Sequence, residues 1–91
     1  MELRPGHLVR SRQGRDAGAH YLVYRVDAGG SVWVVDGRKR PQARPKRKNP
    51  KHLEPAGLRA DAVGDRWERG ETVDEEQVRA ALAQLVAAWA A

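Results

Sequence analysis

The sequence predicts a small, mostly β domain, built as a strand barrel or sandwich and followed by a C-terminal α-helix. Three observations carry this. Short runs in the first half alternate with a period of two and are broken by glycine turns. A cationic run in the middle is interrupted by Pro41, Pro45 and Pro50, which argue against helix there. Residues 72–91 carry one apolar stripe at helical spacing. At 91 residues the chain holds one small domain plus an appendage, with a modest core.

The strands come in order. LVR at 8–10 is the first candidate, after Pro5 and Gly6. QGRDAG at 13–18 is a turn, with Gly14 and Gly18 supplying backbone geometry that other residues resist. HYLVYRVD at 20–27 sets Tyr21, Val23 and Arg25 against Leu22, Tyr24 and Val26. AGG at 28–30 connects it to SVWVVDG, with Val32 and Val34 on one face and Trp33 and Val35 on the other. Asp36-Gly37 is a turn dipeptide. Lys46–Lys48 reads as a short edge strand between prolines, and Pro50–Leu53 as a single 3₁₀ turn. A closed sheet would leave no exposed edges.

Residues 56–71 lack sustained periodicity and read as a linker, with a turn packed through Leu58 or Trp67. Thr72-Val73-Asp74-Glu75 fits a capping box, and Val78, Ala81, Leu82, Leu85, Val86 and Trp89 form the stripe that follows. That helix packs on its own barrel or on a partner. The expected division is therefore 1–55 for the barrel with its basic segment 38–51, 56–71 for the linker, and 72–91 for the helix.

Charge is placed rather than spread. The net charge is +5. Residues 38–51 hold eight basic side chains and no acidic one: Arg38, Lys39, Arg40, Arg44, Lys46, Arg47, Lys48 and Lys51. Residues 52–91 hold four basic and eight acidic, so the rest of the protein is mildly acidic. Such a run attracts polyanions and can neutralise several phosphates at once. The helix opens with acids, the wrong sign for an anionic membrane.

Other chemistries find little footing. There is no cysteine, so no disulfide framework or cysteine–zinc site. His7, His20 and His52 lack metal-ligand spacing. No Ser/His/Asp set, phosphate-binding Walker loop or carboxylate pair stands out. No long apolar run or signal-peptide pattern is present. The expectation is a soluble cytoplasmic binding protein, not an enzyme, with no cofactor and no metal.

LVRSRQGRDAGAHYLVYRVDAGGSVWVVDG, residues 8–37, resembles a KOW motif, a strand–glycine turn–strand unit of ribosomal proteins and NusG-type elongation factors. GRDAG at 14–18, VDG at 35–37 and KRKNPKHLEP ending at 55 resemble the KOW-containing large-subunit ribosomal proteins of archaea and eukaryotes. They are more similar still to the short bacterial KOW proteins described as RNA-binding. The resemblance covers about residues 4–55. Gln13 and Ala17 depart from it, standing at positions often basic in the motif. It implies an SH3-like β-barrel that binds RNA, usually ribosomal, with ribosomal proteins as further neighbours. Gly14, Arg15 and Gly18 match the family's turn; Gly37, Lys46, Arg47, Lys48, Asn49, His52 and Leu53 match its second landmark.

The expected RNA-contacting residues are the eight cations of 38–51, together with His52 and with Arg10, Arg12 and Arg15 beside the first turn. Gly14, Gly18 and Gly37 are structural turn positions. Asp16 is a local turn acceptor or an arginine partner. Tyr21, Tyr24 and Trp33 read as core in preference to a base-stacking platform. Two rivals stand beside RNA binding: a KOW-type protein-interaction module and a non-specific DNA-binding protein.

Overall fold

A computed structural model describes residues 2–90. Met1 and Ala91, the outer ends of the expected spans 1–55 and 72–91, lie outside them. The order is β1 (His7–Ser11), β2 (His20–Val26), β3 (Val32–Val35), β4 (Lys46–Lys48), a 3₁₀ turn (Pro50–His52), β5 (Leu53–Arg59), α1 (Asp61–Glu68) and α2 (Glu75–Ala90). No helix among the described residues is long and apolar enough to cross a membrane.

The strands form one antiparallel sheet in the order β4-β3-β2-β1-β5. Both faces of its centre are buried, which is why β2 carries apolar residues at successive positions. One face gathers Val9, Tyr21, Val23, Val32, Val34 and Leu53. The other gathers Leu22 and Val35 with Val63, Trp67, Val73 and Val78 from the helices and their junction. Between Val23 and Arg25 the register against β3 shifts by one residue, a bulge at Tyr24. Tyr24 then packs edge-on against Trp67 at 5.2 Å between ring centres.

The expected closed barrel does not form. Among the described residues no ladder joins β4 to β5, so both remain edges. β4 is only three residues long, and the 3₁₀ turn after Asn49 carries the chain straight into β5. The sheet is nonetheless strongly curled. Four strands lying flat would hold β4 about 14 Å from β1, yet the Lys48 ammonium of β4 lies 3.0 Å from the Ser11 hydroxyl at the end of β1.

The expected linker is also overturned: residues 56–71 hold the rest of β5 and the whole of α1. Pro55 and Gly57 look like strand breakers, but β5 is an edge strand, where proline is tolerated. Gly57 sits at φ +76°, where four steps along β5 match two along β1. In α1, Val63 and Trp67 are four residues apart and both buried, a short signal interrupted by Gly64. That glycine sits where helix meets backbone. A Cβ there would stand 2.3 Å from the Pro5 carbonyl oxygen.

The last helix begins later than the capping box predicts. Its cap is Asp74, whose Oδ1 accepts the Glu76 N–H at 3.0 Å, while Thr72 offers its carbonyl to the Arg66 guanidinium at 3.2 Å. Val73, 2% exposed, is drawn into the core and holds the chain extended for one residue more. The helix packs on its own sheet: Ala81, Leu82 and Leu85 join the Leu22–Val35 cluster. Trp89 meets His20 edge-on at 5.9 Å and lies under the Arg10 guanidinium at 5.0 Å.

Gly64→Ala sets two effects against each other. Alanine is the better helix former by about 0.8–1.0 kcal/mol, whereas overpacking against Pro5 costs about 1–3 kcal/mol. Urea unfolding is expected to show net destabilisation; a more stable variant would contradict the close approach of α1 to the N-terminal segment.

Candidate nucleic-acid interface

The basic segment is held at both ends. Asp36 Oδ1 accepts the N–H groups of Arg38 and Arg40 at 2.8 and 2.9 Å, closing a tight loop at the end of β3. Gly37, at φ +79°, lies so close to α2 that a Cβ would stand 2.8 Å from Arg79 Cγ. Its carbonyl accepts from the Arg79 guanidinium at 2.8 Å.

Gln42 fastens the run from within. Its side chain is buried in the midst of the cationic run. Oε1 accepts from Trp67 Nε1 at 2.7 Å and from the Val73 N–H at 3.0 Å. Nε2 donates to the Val73 carbonyl and to Glu75 Oε2. One amide thus ties the basic loop to α1, to α2 and to the junction between them. Nothing in the local sequence marks it, because a glutamine between cations reads as one more polar loop residue.

A second anchor is a carboxylate cluster. Asp16 Oδ1 lies 3.0 Å from Lys48 Nζ and 2.9 Å from the Ser11 hydroxyl. Oδ2 lies 3.0 Å from Lys46 Nζ and accepts from the Tyr21 phenol at 2.7 Å. Desolvation pushes the Asp16 carboxyl upward, but hydrogen bonds from Tyr21, Lys46, Lys48 and Ser11 outweigh it and hold the group well below the usual carboxylate range. Burial, and then Asp16 beside it, raises the Tyr21 phenol above its ordinary value.

This cluster revises the expected contact set. Lys48 is 8% exposed, with its ammonium shared among Asp16, Ser11 and the Gln13 carbonyl, so it is an internal strut and not a phosphate contact. Lys46 is committed to Asp16 as well, at 28% exposure of its side chain. Both point inward because Arg47 between them points outward, the alternation of a strand. Asp16 partners lysines, not an arginine. Arg10 stays exposed but is paired, with Glu54 and with the Trp89 ring of α2.

The remaining cations are exposed: Arg12, Arg15, Arg38, Lys39, Arg40, Arg44, Arg47 and Lys51. The turn bearing Arg12 and Arg15 is tied to β4 through Asp16, with Gly14 at φ +94° and Gly18 at φ +91°. The Arg12 N–H bonds the His52 carbonyl at 2.8 Å, bringing the 3₁₀ turn and Lys51 to the same end of the sheet. His52 is half-buried and holds the turn through its main chain. Among the described residues none of these eight cations has a carboxylate within 4 Å, whereas Arg4, Arg10, Arg59, Arg66 and Arg69 are all ion-paired.

No protein-family model matches this chain, and no curated protein matches it.

Asp16→Asn leaves two lysines facing a neutral amide and is expected to cost about 3 kcal/mol in urea unfolding. The pH dependence has a definite sign. The folded carboxyl titrates lower than the unfolded one, near pH 3.9. Its contribution is complete above about pH 5 and is lost as pH falls toward the depressed folded value. Wild type should therefore lose stability more steeply below about pH 4 than Asp16→Asn does; equal slopes would count against the cluster. Gln42→Ala should cost about 1–3 kcal/mol, the penalty for unpaired buried groups. It should also speed tryptic cleavage after Arg38 and Lys39, whereas an unchanged digestion rate would separate the loop from its amide anchor.

Proposed function

We propose that this chain is an SH3-like, KOW-type module that binds RNA, ribosomal RNA foremost, through phosphate contacts. Its setting is the cytoplasm, as an accessory factor of the ribosome or of translation. The observation that carries the reading is the sorting of charge. The acids of α1 and of the turn after it, Asp61, Asp65, Glu68 and Glu71, are spent on Arg4, Arg59, Arg66 and Arg69. The exposed cations of the loop, β4 and the first turn are left without acidic partners among the described residues, on a backbone fixed by Asp36, Gln42 and Asp16.

A fixed array suits phosphate. Each contact releases counterions, and a scaffold already in place loses less entropy on docking than a free basic tail does. Arginine adds two-pronged donation and stacking on unpaired bases. The strand–glycine turn–strand of β1 and β2 and the KRKNPKHLEP segment support the KOW reading through their resemblance to that family.

Filter binding of a ribosomal RNA fragment across a salt series tests this. If about four to six phosphates on unpaired strands are neutralised, log K should fall with log salt at a slope of roughly −3 to −4. Replacing Arg38, Lys39, Arg40 and Arg44 with glutamine should lower affinity by about ten-fold or more and flatten that slope, with the thermal melt unchanged. Weak binding that is flat in salt favours the protein-interaction rival. Duplex DNA outcompeting the RNA at equal salt favours the DNA-binding one.

A further inference from the structure

Aromatic side chains in this protein are almost all committed. Tyr21 is 5% exposed, with its hydroxyl on Asp16. Tyr24 and Trp67 pack on each other, and Trp89 docks α2 on His20. Trp33 stands apart. It lies on the face of β3 that carries Val35, yet it belongs to neither buried cluster and remains partly exposed.

Its neighbours across the sheet are both arginines. Arg25 of β2 and Arg47 of β4 stand directly opposite Trp33, one on each side. Cross-strand partners share a face, so Arg25, Trp33 and Arg47 form one row across three strands. Both flanking arginines are exposed.

The row is also braced. Trp33 Nε1 donates to Asp27 Oδ2 at 3.3 Å. The other Asp27 oxygen accepts the N–H groups of Gly29 and Ser31, each at 3.0 Å, so the nearby carboxylate is satisfied locally. Arg47 Nε donates to the Ser31 hydroxyl at 2.9 Å, which orients the guanidinium and leaves its terminal nitrogens free of protein partners among the described residues. Beside Arg47 lies an open groove lined by Gly29, Gly30, Ser31, Arg47, Asn49 and Pro50.

We propose that the Arg25–Trp33–Arg47 row seats an unpaired nucleotide of single-stranded RNA, with its base stacked on Trp33 and its flanking phosphates on the two guanidiniums. This rests on the RNA-binding reading, which already takes the phosphates to lie on unpaired strands, and adds to it a base-stacking seat with two residues, Arg25 and Trp33, outside the basic segment. In the free protein the Arg25 guanidinium lies 5.6 Å from the Trp33 ring centre. An exposed cation–π contact is weaker than base–indole stacking. A base therefore displaces Arg25 from the ring, and the guanidinium moves to phosphate. A duplex cannot use the seat, because its bases are already stacked and their faces hidden.

The test compares a short oligouridylate with an RNA duplex of the same length. Trp33→Ala should weaken oligouridylate binding by about ten-fold, the range of one stacked base, and leave duplex binding unchanged. Trp33→Phe, which keeps a ring, should retain most of the affinity and covers the case in which the alanine variant fails to fold. Irradiating the wild-type complex with 5-iodouridine in the strand should attach the label to Trp33. Equal losses on both RNAs, no loss on the single strand, or label confined to residues 38–44 or Trp89 overturns the seat while RNA binding stands. Wild type that binds neither RNA overturns both.

Discussion

The architecture depends on one carboxylate held among cations. Asp16 sits in the turn between β1 and β2, yet its lysine partners come from β4, at the far edge of the sheet. Without that attraction nothing charged would draw the two regions together across a curled apolar face. The two lysines and the carboxylate leave a local excess of positive charge. Hydrogen bonds from Tyr21 and Ser11 satisfy the rest of the carboxylate, which is the condition for a charged group to be tolerated away from water. A buried lysine in a basic run is thus mortar for the surface that its neighbours present.

Charge sorting follows from how the helices are placed. The Arg59 guanidinium, at the end of β5, donates to the Pro5 carbonyl and to three carboxylates of α1. Arg4 adds its own bond to Glu68. α1 therefore neutralises the N-terminal segment and β5 on one side of the molecule. The exposed cations of the basic loop and the first turn, together with Arg47 and Lys51, have no carboxylate within 4 Å among the described residues, and the two signs do not cancel across the surface. The Arg4–Glu68 pair is exposed, and such pairs contribute little stability, whereas the Arg59 side chain is only 12% exposed among its carboxylates. The effect of these pairs is on where the field is left uncompensated.

Much of this was legible in the sequence, and the exceptions have physical causes. β2 and β3 follow their period-two pattern, and α2 its stripe, because burial on a sheet or helix leaves that imprint directly. β5 was hidden because an edge strand tolerates Pro55 and a bulge tolerates Gly57. α1 was hidden because only Val63 and Trp67 face the core and Gly64 stands between them. Within the candidate interface the cations were visible as a run, but not their directions. Alternation along β4 turns Lys46 and Lys48 inward and Arg47 outward. The bulge at Tyr24 puts Arg25 opposite Trp33, a pairing that depends on sheet register and leaves no mark in either segment alone.

Gln42 makes the chain indivisible at residue 55. Cutting there would retain all the residues that resemble a KOW motif and remove Trp67, Val73 and Glu75, which hold that amide. The arm bearing Arg38 to Arg44 would then lose its inner clasp, and the fragment would expose Leu22 and Val35, which the helices cover. The segment after residue 55 is therefore an integral buttress. A minimal version of this protein must be made by trimming surface side chains, not by shortening the polypeptide.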